Sequence, residues 1–84
     1  MMDTQRSLAS MKEGEEGVLE RLDLPDEMAQ RLMTMGFLPG SQVRVTRRAP
    51  GGDPRVYRVD GSEIALRRET AIHLYLTTTS SEQL

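Results

Sequence analysis

The sequence predicts a small, mainly β domain: a partly open antiparallel barrel of about five strands with one inserted amphipathic helix. Three observations carry this reading. A run of helical apolar period, Met28 to Met35, stops at Gly36 and turns through Pro39-Gly40 into Val43-Arg44-Val45. Four short strand signals, at least two of them alternating cleanly, surround that helix, and their connections are of hairpin length, which favours antiparallel pairing. A chain of 84 residues also gains by closing its sheet, because closure removes the open edges it would struggle to protect.

The elements follow in order. Ser7 precedes Leu8-Ala9-Ser10-Met11 as a cap for one short helical turn, which Lys12-Glu13-Gly14-Glu15 breaks. Gly17 to Leu22 is expected to be the first strand, with Val18 and Leu22 on one face. The helix runs over 25–35. Pro25 sits in its opening turn, where a missing N–H costs nothing, and Asp26 and Glu27 place negative charge at the positive end of its dipole. Met28, Leu32 and Met35 form its apolar stripe, widened by Ala29 and Met33. Gly36 ends the helix, so that Phe37 and Leu38 fold back against it. Pro39-Gly40 is a turn with proline second and glycine third. From Gln42 to Arg48, Val43 and Val45 point inward. Pro50 to Pro54 is a mobile hairpin-like loop, Arg55 to Asp60 a strand with Tyr57 and Val59 on one face, and Asp60-Gly61 a two-residue turn. Ser62 to Arg67 carries Ile64 and Leu66; Arg68 to Ala71 makes one helical turn; and Ile72, Leu74 and Leu76 alternate with His73, Tyr75 and Thr77 in the final strand. The domain spans 7–77, between disordered tails at 1–6 and 78–84.

Composition narrows the chemistry. There is no cysteine, so no disulfide and no thiolate metal site forms, which fits a reducing compartment. No run of about 20 apolar residues exists to span a membrane, and the N-terminus lacks a secretory h-region, which leaves a cytoplasmic location as the expectation. The net charge of −2 is unevenly spread. Residues 44–68 hold seven arginines (44, 47, 48, 55, 58, 67 and 68) against Asp53, Asp60 and Glu63, whereas residues 1–43 hold four basic and eight acidic side chains.

No motif points to catalysis. The one histidine, His73, is expected to face outward, and Gly51-Gly52 is a hairpin tip without the lysine of a phosphate-binding loop. One histidine cannot build a two-histidine iron site. A trapped zinc or ferrous ion would sit on His73 with Glu63 or Glu69 and need ligands from a second chain or water. The methionines at 28, 33 and 35 read as packing, and any exposed part of that stripe suits a partner groove. Arg47, Arg48, Arg67 and Arg68 raise nucleic-acid binding, but the chain is acidic overall and its aromatics are Phe37, Tyr57 and Tyr75 only. Arginine forks equally suit carboxylates on a protein.

Leu32 to Gly40, then Val43-Arg44-Val45, Arg47-Arg48-Ala49-Pro50, Gly52-Asp53-Pro54 and Gly61 to Ala71 together resemble the FeoA family of ferrous iron transport accessory proteins. The likeness covers about residues 8–76. It implies an SH3-like barrel, no enzymatic activity, no required cofactor, and a cytoplasmic role beside FeoB, the membrane ferrous iron transporter with a GTP-binding domain, whose uptake it modulates. Similar domains end metal-dependent repressors; with no helix-turn-helix ahead of it, this chain looks like a free-standing FeoA. The expected contact residues are Met28, Leu32, Met35, Phe37, Leu38 and Pro39 at the helix and its corner, and Ala49, Pro50, Gly51, Gly52 and Asp53 in the loop. Neither nucleic acid nor membrane insertion is expected, and any homodimer would be weak or metal-mediated. The alternative is a regulatory domain that senses metal or binds nucleic acid. Arg55 departs from the family pattern, which more often has an apolar residue there; the strand then starts later, or Arg55 lies at a barrel rim.

Overall fold

A computed structural model of the chain describes residues 5–77. Both tail expectations fall largely on residues 1–4 and 78–84, outside the described residues. Gln5 and Arg6, read as tail, are instead tied to the domain: Gln5 Nε2 donates to Glu20 Oε1 at 2.6 Å, and the Arg6 carbonyl accepts the Leu76 N–H at 2.7 Å.

Five strands form one antiparallel sheet: β1 (Glu16–Leu22), β2 (Gln42–Arg48), β3 (Arg55–Val59), β4 (Ser62–Leu66) and β5 (Leu74–Leu76), in the order β4-β3-β2-β1-β5. β1 serves both halves of the barrel. Its first part pairs with β2 (Gly17 opposite Val43), and its second part pairs with β5 (Leu22 opposite Leu74). A register shift between Leu19 and Arg21 joins the two parts. That bulge corrects the expected face of β1. The extra residue brings Leu19 and Leu22, three apart, to the same side, which simple alternation forbids. Leu19 is therefore fully buried, and Val18 is 40% exposed.

The nine-residue helix α1 (Asp26–Thr34) joins β1 to β2. Its end is a Schellman arrangement: Gly36 N–H donates to the Met33 carbonyl at 3.0 Å and Phe37 N–H to the Leu32 carbonyl at 3.1 Å. Gly36 takes φ +113°, where a side chain is strained. The turn Leu38–Ser41 follows, closed by Ser41 N–H to the Leu38 carbonyl at 2.8 Å with Gly40 at φ +95°. At the β3–β4 hairpin, Asp60 and Gly61 both have positive φ, the conformation that suits the twist of a two-residue hairpin.

Two short helical turns pack together beside β5. These are η1 (Leu8–Ser10, a 3-10 turn) and α2 (Arg68–Ala71), and they touch each other. Ser7 makes no side-chain cap on η1; instead the Ser10 hydroxyl donates to the Ser7 carbonyl at 2.8 Å. The core gathers Leu8, Met11, Leu19, Leu32, Phe37, Val43, Val45, Tyr57, Val59, Leu66, Ala71, Leu74 and Leu76. The last strand is shorter than its alternation predicts, because Ile72 and His73 belong to the turn leaving α2. Ile72 is consequently 39% exposed.

Candidate functional site

The helix and its corner supply an apolar surface. Positions 28 and 35 lie two turns apart on one side of α1. Met28 is 43% exposed, Met35 at the helix end 38%, and Leu38 in the following turn 47%. The buried side of α1 is carried by Ala29 and Leu32, Met33 is half-buried, and Met28 and Met35, the stripe methionines expected as partner contacts, stand outside. Leu32 on the helix and Phe37 just past its end, both expected as partner contacts, point into the core. Both are core residues, at 4% and 0% exposure, and hold the corner from beneath. Pro39 is exposed beside Leu38.

The loop is a separate surface. Residues 37–39 precede β2 and residues 49–53 follow it, so the two expected contact regions stand at opposite ends of a seven-residue strand, roughly 20 Å apart. The loop is also less open than its composition suggests. Ala49 N–H donates to the Pro54 carbonyl at 3.0 Å, and Gly52 N–H to the Ala49 carbonyl at 2.8 Å. Asp53 Oδ1 accepts the Arg68 N–H at 2.9 Å, which caps α2 from across the fold. Pro50 and Gly51 are exposed, and Gly52 is half-buried.

Four of the seven arginines of residues 44–68 are matched by acids across the sheet: Arg44, Arg47, Arg48 and Arg58. Glu63 Oε1 and Oε2 each accept a 3.2 Å bond, from Arg47 and Arg58 respectively. Glu16 pairs with Arg44 at 3.3 Å and Glu13 with Arg48 at 3.9 Å. Of these side chains, Glu13, Glu16, Arg44, Arg58 and Glu63 line a shallow open depression of about 790 Å³ over β2, rimmed also by Asp60. Mixed signs at this spacing do not make the single-sign stripe that tracks a phosphate backbone. Arg55 opens β3 opposite Arg48, half-buried, and donates to the Met11 carbonyl. Its inward turn explains how a charge sits where an apolar residue is usual.

The three expected metal ligands do not come together. Glu63 stands at the start of β4 and is engaged by two arginines. Glu69 and His73 follow the other end of that strand. Among the described residues, no group of three or more His, Asp or Glu side chains is placed to hold a metal. His73 is half-buried, and its carbonyl accepts the Asp23 N–H at 2.8 Å. The fit to a bound metal within one chain is therefore poor.

Two exposed apolar residues escaped the sequence reading, Val18 and Ile72. Gly17 beside Val18 and the helical turn before Ile72 are the local signals, but only the bulge and the strand start decide the outcome.

The fold and surface define an SH3-like barrel carrying an exposed apolar corner. Residues 6–77 match the FeoA domain, and the chain belongs to that family. It is 37% identical over 67 residues to the putative Fe(2+) transport protein A of Methanocaldococcus jannaschii, covering 80% of this chain and 79% of that one. It is 31% identical over 74 residues, 88% of its length, to an Fe(2+) transport protein A/Fe(2+) transporter FeoB fusion protein of Porphyromonas gingivalis, and spans only 9% of that fusion. Among solved structures, it resembles the FeoA of Stenotrophomonas maltophilia complexed with zinc, an SH3 domain protein, at 29% identity and TM-score 0.73, covering 84% of this chain and 88% of that one. No helix among the described residues is long and apolar enough to cross a membrane.

Proposed function

We propose that this protein is a non-enzymatic accessory module of ferrous iron uptake, which docks on the cytoplasmic part of an FeoB transporter and modulates Fe(II) transport. The observation that carries the reading is the corner of Met28, Met35 and Leu38, large apolar side chains left 38–47% exposed on a domain small enough to need every apolar contact. Methionine adapts its shape to a partner, and Leu38 projects from a turn held rigid by hydrogen bonds on both sides. The P. gingivalis fusion supports the choice of partner, because it joins the two proteins in one chain. The arginine–glutamate network argues for a protein partner over nucleic acid, since Arg44, Arg47, Arg48 and Arg58 are already matched by glutamates.

The test is a titration of the whole chain against the soluble GTP-binding domain of the FeoB from the same organism, with GDP, with a GTP analogue and without nucleotide. Saturable binding is expected in at least one state. Absence of binding in all three overturns docking on that domain. Full-length FeoB in nanodiscs then decides whether the membrane part binds or the docking role fails altogether.

A further inference from the structure

The two edges of the sheet are treated differently. β5 is covered on its outer side, where its Leu76 N–H donates to the Arg6 carbonyl at 2.7 Å and Tyr75 bridges to Ser7. β4 has β3 on one side and no strand on the other among the described residues. Its pairing runs Val59 opposite Ser62, Arg58 opposite Glu63, Tyr57 opposite Ile64 and Val56 opposite Ala65. A two-residue hairpin makes its flanking pair, Val59 and Ser62, a hydrogen-bonded one, and the alternation of an antiparallel ladder does the same for Tyr57 and Ile64. Glu63 and Ala65 thus direct their N–H and C=O groups outward, and no backbone partner meets them among the described residues. Such an edge is a template for another strand.

The side chains select the strand that fits. Residues 63–67 read Glu-Ile-Ala-Leu-Arg. The segment is self-complementary when reversed: opposite charges at its ends, branched apolar residues inside them and a small residue at the centre. We infer that the β4 edge is a homodimer surface, on which β4 of a second copy pairs antiparallel about a two-fold axis at Ala65. Glu63 then faces Arg67 of the second copy, Ile64 faces its Leu66, and the two Ala65 residues exchange both central hydrogen bonds. Opposite charges across strands are favourable, and like charges opposite one another are not; Leu66 is already in the core and adds little. Moving the register by two residues, to centre on Glu63, would set two carboxylates face to face. Exposed Ala65 adds no bulk at the axis. Each Glu63 oxygen carries one bond from Arg47 or Arg58, which leaves a lone pair for a further donor. The result joins two five-stranded sheets edge to edge.

The experiment measures the mass of the full chain by sedimentation across a wide concentration range, alongside Ala65→Pro and two single-cysteine variants. The chain has no native cysteine, so each introduced thiol reports alone. The expected result is a concentration-dependent dimer. Ala65→Pro removes two hydrogen bonds at the axis and should weaken dimerisation roughly thirtyfold. Its missing N–H points away from β3, so the sheet loses no bond of its own and circular dichroism should be unchanged. Ala65→Cys should form a covalent dimer under mild oxidation, because hydrogen-bonded cross-strand positions lie about 5.5 Å apart, within disulfide reach. Ser62→Cys, far from its own symmetry mate, should not. A chain that stays monomeric at millimolar concentration overturns the inference, as does a dimer indifferent to a folded Ala65→Pro. So does equal cross-linking of the two cysteine variants. If Ala65→Pro fails to fold, the cysteine pair decides alone. A monomer that instead loses binding to another protein on Ala65→Pro overturns the choice of a second copy as occupant.

Discussion

The Tyr57 hydroxyl donates a 3.0 Å hydrogen bond to the Leu8 carbonyl, reaching from the middle of β3 to a turn 49 residues earlier. Both residues are fully buried. This bond and the one from Arg55 to the Met11 carbonyl anchor the N-terminal turn across the open side of the barrel. Replacing Tyr57 by Phe keeps the ring and removes one of the two hydrogen bonds that the Leu8 carbonyl accepts; the other, from the Met11 N–H at 3.2 Å, remains. The expected loss is about 0.5–1.5 kcal/mol, read by urea unfolding. In a domain of this size that lowers Tm by several degrees.

The same phenol sets a pH limit. Burial pushes the Tyr57 pKa up, with Arg55 partly opposing it. A raised folded-state value means that the stabilisation is complete below the ordinary tyrosine value and is lost as pH rises through the folded one. Alkaline unfolding followed by tyrosinate absorbance should show Tyr57 ionising above the ordinary tyrosine range, and together with loss of structure.

At the acid end, Glu15 is the group to watch. Arg6 grips both its oxygens, at 2.5 and 3.0 Å, and the Lys12 N–H donates to it at 2.8 Å. The Arg6 bond first, then the Lys12 N–H, lower its pKa from 4.5 to about 2. A lowered folded-state value contributes stability above the unfolded value and loses it as pH falls from about 4.5 towards 2. Glu15→Gln should flatten that part of the stability–pH curve. A curve unchanged by the substitution would refute the assignment.

Leu38→Glu should change stability by less than about 0.5 kcal/mol, as expected of an exposed position, and should weaken binding to FeoB in the titration above. A destabilised Leu38→Glu would mark Leu38 as part of the core and remove the corner as the docking surface.

The β1 bulge makes a paired prediction. Leu19→Ala should cost about 2–5 kcal/mol, as for a buried leucine. Val18→Ala should cost about 1 kcal/mol or less, since Val18 is 40% exposed. Simple alternation through Val18 and Leu22 would reverse that order.

Much of the fold was legible because it is written in local chemistry. Gly36 and Gly40 sit where positive φ is required, and Asp60-Gly61 where a hairpin needs it at both positions. Val43, Val45, Tyr57 and Val59 alternate inward as their period predicts. The site was less legible. Apolar period put Met28, Leu32 and Met35 on one stripe and could not say which of them the core takes; the barrel buries Leu32 and leaves the two methionines out. Leu32 and Phe37 look like Leu38 in the sequence, and burial alone separates them.

The sequence by itself determined the class of fold, the order of its elements, the turn positions and the family, because turn conformations, helix ends and alternation depend on near neighbours. Only the tertiary structure decided which residue of β1 faces the core, which arginines are already matched by glutamates, and that the corner and the loop are separate surfaces. It also kept Glu63 apart from Glu69 and His73, and left β4 with an open edge among the described residues. Each of these depends on how distant strands register and how the sheet closes, and that geometry is set by the packing of the whole chain.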